Sequence, residues 1–249
     1  MSLENITFID IETVPETNPE YVFKSEELTV SERLFTKKFD RSNEIKEGVT
    51  IEEFYGNNAA LYAEFGKVVC VSLGTLRGDK FYIKTISIRD EVKLLEVLSE
   101  ALMKSGSKIL VAHNGMDFDY PFLFRRYLVN GVPVPAILNT TDKKPWDVPL
   151  ADTLKMWSGT QWNYKVSLEM LCHLFKLPSP KALISGASVS DIYYLKTSVD
   201  DSELPFDKED SAMRKIGEYC AGDVIALANV YCKIKNLALI DQTKIEYVK

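Results

Sequence analysis

The sequence predicts one α/β domain with a mixed β-sheet and a helical C-terminal half. Two observations favour this fold class. Short β-rich runs come first, in the FIDIET segment and in a hairpin whose turn is Gly78-Asp79. Apolar residues then recur at helical spacing in several segments, the longest from about Lys208 to Lys235. Strands that alternate with helices and give way to further helices are typical of an α/β domain, which we expect to span residues 1–249.

The first strand is the apolar run through FIDIET, and the segment 15–60 follows it. That segment is rich in charged and aromatic residues, and its loose apolar periodicity allows helical pieces. We interpret it as an insertion packed over the face near the end of the first strand. The apolar residues that allow helical pieces are Leu28, Leu34, Phe35 and Phe39.

Three predicted elements follow the hairpin. Residues 90–104 show clear helical spacing, with Asp90 at the acidic start of the helix. SKILVAHNG is a short apolar strand that ends at the turn pair Asn114-Gly115. A helix is then expected over about 119–129, and the proline at residue 121 is compatible with its first turn.

The C-terminal half contains mainly helices. DVPLADTLKMW combines a fifth strand with the start of a helix. Ser167 is the predicted N-cap of the helix in SLEMLCHLFKL, which Pro178 and Pro180 are expected to end. The last dozen residues show no clear pattern.

Composition excludes several function classes. No apolar run approaches the ~18 residues of a membrane span, and the N-terminus has no basic region followed by an apolar one, so we expect a cytoplasmic protein without membrane contact. The four cysteines lack C-x-x-C spacing and only two histidines are present, which argues against a zinc site. The net charge of −6 argues against broad wrapping of nucleic acid. It leaves room for an enzyme that holds one strand end through bound cations.

Two acidic residues interrupt the first strand. Asp10 and Glu12 are two positions apart, so their side chains point to the same face of the sheet, about 7 Å apart along the strand. Such a pair can share a metal ion. With 36 acidic residues among 249, the same spacing also arises by chance and can mark a strand that leaves the core.

Two further stretches place acidic residues at the ends or on the buried face of helices. Asp117 and Asp119 stand where a helix begins, and helix capping would explain either of them. Tyr219 and Asp223 are four residues apart in the last helix, on a face that apolar residues continue. A buried aspartate costs several kcal/mol unless it finds a charged partner or a metal ion, although a local hydrogen bond is the alternative.

The three stretches together resemble the DEDD superfamily of 3′–5′ exonucleases. FIDIET, HNGMDFDYPFL and YCAGD look like its three exonuclease motifs and occur in the same order. Within the superfamily, the chain resembles stand-alone relatives of the proofreading domain of B-family DNA polymerases, which share an N-x-x-x-F-D second motif. The resemblance covers residues 4–12 and about 67–235. It implies a ribonuclease H-like (RNase H-like) fold, in which helices flank a mixed β-sheet.

The resemblance also implies the roles of individual residues. The tyrosine subtype (DEDDy) carries a tyrosine four residues before the last acid, as Tyr219 stands here, and that residue orients the attacking water. Thr13 and Asn114 are the expected contacts to the terminal nucleotide of the substrate. The four acids that would bind two Mg²⁺ or Mn²⁺ ions are Asp10, Glu12, Asp119 and Asp223.

The implied activity is that of a metal-dependent 3′–5′ exonuclease that releases nucleoside 5′-monophosphates from single-stranded DNA. The same chemistry on RNA 3′ ends is an alternative, because tyrosine-type relatives also process RNA. A non-catalytic nucleic-acid-binding module on this fold is a third reading, and the loss of a metal ligand would be its signature. The physiological substrate, the oligomeric state and protein partners are not predicted by the sequence.

Overall fold

A computed structural model describes residues 3–40, 45, 47–144, 147–161, 163–178, 186–195 and 208–248. Six strands form one mixed sheet in the order β5-β4-β1-β2-β3-β6. Strand β2 runs antiparallel to its neighbours β1 and β3, while the β1–β4, β4–β5 and β3–β6 pairs are parallel. The strands are β1 (Ile6–Pro15), β2 (Gly66–Arg77), β3 (Lys80–Ser87), β4 (Ile109–Ala112), β5 (Leu150–Asp152) and β6 (Ile245–Val248).

Eight α-helices lie within the described ranges, and most of them follow β3 in the chain. They are α1 (Val30–Asp40), α2 (Ile51–Asn58), α3 (Glu91–Ser105), α4 (Asp119–Val129), α5 (Thr153–Ser158), α6 (Leu168–Leu174), α7 (Gly186–Tyr193) and α8 (Lys208–Ile234). The first five strands in the order 3-2-1-4-5, with only the second reversed, have the topology of the ribonuclease H-like fold. The predicted α/β fold class is therefore confirmed.

Strand β1 separates the two halves of the core because its side chains alternate between the faces of the sheet. Ile9 and Ile11 pack in a cluster with α3 and α4 on one face. Ile6 and Phe8 pack on the other face, against α8. Asp10 and Glu12 continue this second series, so the strand directs both carboxyl groups towards α8.

Helix α8 approaches the sheet closely at Gly74 of β2. A Cβ atom built on this glycine would lie 2.5 Å from the Phe81 ring and 2.6 Å from a methyl group of Val224. These distances are shorter than any ordinary carbon–carbon contact, so a side chain at residue 74 would force the helix away from the strands. The glycine thus fixes how near the α8 residues come to β1.

The segment that we interpret as an insertion, 15–60, builds a small aromatic core beside the end of β1. Phe35 and Phe39 of α1 are fully buried in it, whereas Leu34 is exposed. The segment is fastened to β1 through Thr13, whose hydroxyl donates to the carbonyl of Ala60 at 2.8 Å. The expected helical pieces are present as α1 and α2.

Most predicted elements are found, and two details differ. Helix α6 ends at Leu174, three residues earlier than the prolines require, because Lys176 adopts a left-handed conformation and the N–H of Leu177 closes onto the carbonyl of Cys172 at 2.8 Å. Pro180 lies outside the described residues. The C-terminal segment, for which no structure was predicted, forms β6 at the edge of the sheet beside β3.

Candidate active site

The first two site residues come from β1. Asp10 pairs with Ser72 and Glu12 pairs with Cys70 across the antiparallel ladder, and the register shifts immediately after Glu12. This irregularity, a β-bulge, bends the strand at the point where the two carboxyl groups project. A carboxylate oxygen of each residue lies within 4.8 Å of the other.

The turn between β4 and α4 presents Asp119. Asn114 takes a left-handed conformation (φ 62°) in this turn, and its carbonyl accepts the N–H of Phe118 at 3.0 Å. Asp119 is the first residue of α4 and is buried, and its carboxylate accepts the backbone N–H of Ile11 in β1. The side chain therefore reaches back to the strand that carries Asp10.

Helix capping does not explain the second acidic motif. Phe118 occupies the N-cap position of α4, and it makes no side-chain capping bond. Asp117 instead forms ion pairs with Lys155 (2.8 Å) and Lys165 (3.3 Å) at the surface. The capping alternative is thus wrong for both Asp117 and Asp119.

Helix α8 contributes Tyr219 and Asp223 from one face. Both residues are buried, and the tyrosine hydroxyl is hydrogen-bonded to the aspartate carboxylate. The same face continues through Ala226, Leu227 and Val230, which are buried as their spacing predicts. Asp223 is therefore held inside the protein, facing the acids of β1.

Burial and mutual repulsion raise the pKa of the clustered carboxyl groups. For Asp10, burial is the main cause of a pKa well above the ordinary value, and the charges of Asp223 and Asp119 add to it. The pKa of Glu12 is raised for the same reasons, burial first and the charge of Asp10 second. Burial also raises the pKa of Asp119 to about 7, against the opposing hydrogen bond from Ile11.

Glu12 has no compensating partner. Its residue surface is 7% exposed, and among the described residues no hydrogen bond or ion pair reaches its carboxylate. A mostly buried carboxylate without a hydrogen-bond partner costs free energy, because it loses most of its hydration and no protein donor replaces it. A bound cation would remove this cost.

The ligand atoms offered by these acids suit hard divalent cations. The carboxyl groups of Asp10, Glu12, Asp119 and Asp223 supply only oxygen, which Mg²⁺ and Mn²⁺ prefer. They come from β1, α4 and α8, three elements that the fold brings to one place. The residues present therefore fit hard divalent metal ions.

Two residues at the site were not predicted from the sequence. Asp152, at the end of β5, is buried and accepts the backbone N–H groups of Asn114 (2.9 Å) and Met116 (3.1 Å), so it holds the turn that presents Asp119. Its position before Thr153 and Leu154 is a common N-cap pattern that could have been recognised. The second residue is Cys220, whose sulfur lies 3.4 Å from Asp10 Oδ2.

The two expected substrate contacts both lie between Glu12 and Asp119 along the chain. Thr13 directly follows the bulge, and its hydroxyl is bonded to the insertion. The side-chain oxygen of Asn114 accepts a hydrogen bond from Lys165 at 3.1 Å.

Among the described residues, no helix has both the length and the apolar character needed to cross a bilayer.

Comparison with known proteins gives a family match. The family model described as "Predicted 3'-5' exonuclease related to the exonuclease domain of PolB" matches residues 59–246. This range contains Asp119, Tyr219 and Asp223 but begins after Asp10 and Glu12. The structure joins these two β1 acids to the others.

One solved structure similar to this chain is that of the family B DNA polymerase from the hyperthermophilic archaeon Pyrobaculum calidifontis. The two chains are 15% identical, with a TM-score of 0.49. The alignment covers 90% of this chain and 24% of the polymerase chain. No curated protein matches the sequence. On the family match, which spans most of its length, the chain belongs to the predicted 3′–5′ exonucleases related to the exonuclease domain of PolB.

Proposed function

We propose that the protein is a metal-dependent exonuclease that removes nucleotides from the 3′ end of single-stranded DNA. One observation carries this proposal: four carboxyl groups from β1, α4 and α8 lie near one another, and the charges of Asp223 and Asp119 raise the pKa of Asp10. Their pKa values are raised or they lie buried, and Glu12 lacks a partner among the described residues. A purely structural protein gains nothing from such repulsion, whereas a divalent cation would turn it into attraction.

In the proposed reaction, water adds to the terminal phosphorus, and the bond from phosphorus to the O3′ of the preceding nucleotide breaks. The products are a nucleoside 5′-monophosphate and a strand with a new 3′-hydroxyl. When two divalent cations are bound, they stabilise the negative charge on the attacking and leaving oxygens. Asp10, Glu12, Asp119 and Asp223 would hold these cations.

Tyr219 would position the attacking water rather than remove its proton. Burial, followed by the charge of Asp223, raises the pKa of the phenol above its already high ordinary value, so the hydroxyl keeps its proton at neutral pH. A protonated phenol donates one hydrogen bond and accepts others. In this structure it bonds Asp223, and a water beside the acids would become a second partner.

The terminal nucleotide would lie along Thr13 and Asn114. A groove of about 430 Å³ adjoins Asn114 and is lined by Lys165, Ser167 and Leu168 as well. Lysine and amide donors suit phosphate and sugar oxygens, and apolar side chains suit a base. With a net charge of −6, we expect the enzyme to hold only a few nucleotides.

The decisive experiment uses strands labelled at the 5′ end: single-stranded DNA, duplex DNA and RNA, each with Mg²⁺, Mn²⁺ or EDTA. We expect a ladder of shortened products from single-stranded DNA, slower digestion of the duplex, and no digestion in EDTA. Faster digestion of RNA would move the substrate assignment to RNA. Full activity in excess EDTA would contradict the metal mechanism.

Variants connect the activity to the site. Asp10→Ala and Asp223→Ala should abolish digestion while the protein stays folded, because each change removes a ligand from a cluster whose members repel one another. Glu96→Ala is the matched control, since this exposed acid lies on α3, on the opposite face of the sheet. Binding of nucleic acid without digestion by the wild-type protein under any of these conditions would favour the non-catalytic module.

A further inference from the structure

Cys220 places a thiol inside the acidic cluster. It is completely buried on α8, and its sulfur lies within 4.8 Å of carboxylate oxygens of both Asp10 and Glu12. The distance to Asp10 Oδ2 is 3.4 Å. The proposed hydrolysis has no use for sulfur, because hard cations such as Mg²⁺ select oxygen ligands.

One distance among the three ligand atoms is close to an edge of a tetrahedral zinc site. Zinc binds thiolate sulfur at about 2.3 Å and carboxylate oxygen at about 2.0–2.2 Å, so the sulfur and oxygen of one tetrahedron lie about 3.6 Å apart. The Cys220 thiol donates a hydrogen bond to Asp10 Oδ2 across 3.4 Å, a separation close to this edge. Glu12 lies within 4.8 Å of both atoms, so a small side-chain rotation would complete three ligands.

Glu12, on which the proposed function also rests, supplies a second reason to expect a cation here. Its carboxylate projects into the same space as the Cys220 sulfur, is more than nine-tenths buried, and has no hydrogen-bond or ion-pair partner among the described residues. A cation bound between these groups would compensate the charge of the mostly buried Glu12 carboxylate.

We propose that Asp10, Glu12 and Cys220 form a binding site for a thiophilic divalent cation of the Zn²⁺ class, which inhibits the enzyme. Binding forms a metal–sulfur bond in place of the S–H bond, and the thiol proton passes to solvent. The cation excludes Mg²⁺ because it uses Asp10 and Glu12, and zinc binds a given nitrogen, oxygen and sulfur site more tightly than manganese does. The sequence argues against a zinc site built from cysteines and histidines, whereas the proposed site combines one cysteine with two carboxylates.

Metal binding can be measured without nucleic acid. The metal-free full chain is titrated with Co²⁺ or Cd²⁺, and the ultraviolet charge-transfer band of a metal–thiolate bond is recorded. We expect a band that saturates near one equivalent in the wild type and is lost in Cys220→Ala. Cys232→Ala is the matched control and should keep the band, since this buried thiol lies elsewhere on α8 against Phe8 and its neighbours.

A second thiol tests the assignment of the ligand. Cys70 pairs with Glu12 across the ladder and lies within hydrogen-bonding reach of Cys220. If Cys70→Ala loses the band and Cys220→Ala keeps it, the proposal is wrong. Absence of a band in the folded wild type would also overturn it. Circular dichroism establishes that each variant is folded.

Competition separates sulfur from oxygen ligation. Replacing Cys220 with serine should weaken Zn²⁺ binding by about 100-fold, whereas the Mg²⁺ midpoint should move by less than about tenfold, because only zinc uses the sulfur. Equal losses for both cations would refute a sulfur ligand. The inference shares Asp10 and Glu12 with the proposed function, but a thiolate band without nuclease activity would reject only the function, and activity without a band would reject only the zinc site.

Discussion

Replacing Asp119 with asparagine should remove a pH-dependent loss of stability. The pKa of this carboxyl is raised from the ordinary 3.8 to about 7, chiefly by burial. The folded chain therefore keeps a proton that the unfolded chain has already lost, and the free energy of unfolding falls as the pH rises between these two values. Asparagine carries no charge, and its side-chain oxygen can still accept the N–H of Ile11.

The expected magnitude follows from these two pKa values. Each pH unit between them costs about 1.36 kcal/mol, so the interval from 3.8 to about 7 corresponds to about 4 kcal/mol. Below pH 3.8 the carboxyl is protonated in both states and contributes nothing. Above about pH 7 it is ionised in both states, and the loss is complete.

The assay is urea denaturation in EDTA at about pH 4, 6 and 8, which spans this interval. Asp119→Asn should match the wild type at the lowest pH and exceed its free energy of unfolding by up to about 4 kcal/mol at the highest. Added Mg²⁺ should stabilise the wild type more than the variant, because a ligand is lost. The exposed control Glu96→Gln should change stability by less than about 0.5 kcal/mol. Parallel pH profiles for Asp119→Asn and the wild type would refute the reasoning.

Three further predictions concern single residues. Tyr219→Phe should lower turnover by about 10- to 1000-fold in a steady-state assay. The free energy of unfolding should fall by only about 1 kcal/mol, because one hydrogen bond is lost. Wild-type turnover in this variant would remove Tyr219 from the mechanism. Arg126→Met should lower the free energy of unfolding, measured by urea denaturation, by about 3–5 kcal/mol, because the buried Glu91 loses its ion pair at 2.6 Å. A decrease below about 1 kcal/mol would show that Glu91 needs no cationic partner. Gly74→Ala should cost about 1–3 kcal/mol through its contacts with α8 and Phe81, and an unchanged melting temperature would contradict the close approach of the helix.

The local parts of the fold were predictable because their signals lie within a few residues. The hairpin at Gly78-Asp79, the N-cap at Ser167 and the 27-residue helix α8 follow from turn chemistry, capping and periodicity. Strand β6 was not predicted, because four residues that pair only with β3 carry no such signal. The end of α6 depends on the left-handed Lys176, which no proline marks.

The ion pair between Glu91 and Arg126 shows what sequence alone does not reveal. Both residues are buried, and Glu91 also accepts the N–H of Val68 at 2.7 Å and the side-chain amide of Asn130 at 2.9 Å. In the sequence each is an ordinary charged residue on a helix. Only the packing of α3, α4 and β2 makes the pair a buried network.

The sequence by itself determined which residue types could perform the chemistry and which residues of one strand or helix lie on the same side of it. Asp10 and Glu12 share a side because strands repeat every two residues, and Tyr219 and Asp223 share one because four residues complete about one helical turn. Only the tertiary structure decided that these pairs lie near Asp119, that Glu12 has no partner among the described residues, and that Cys220 stands beside Asp10. The last contact joins residues 210 positions apart, and periodicity, which acts over one or two turns, contains no information about it. Such contacts form when β1 packs against α8, and the burial of apolar side chains determines how the helix lies on the strand.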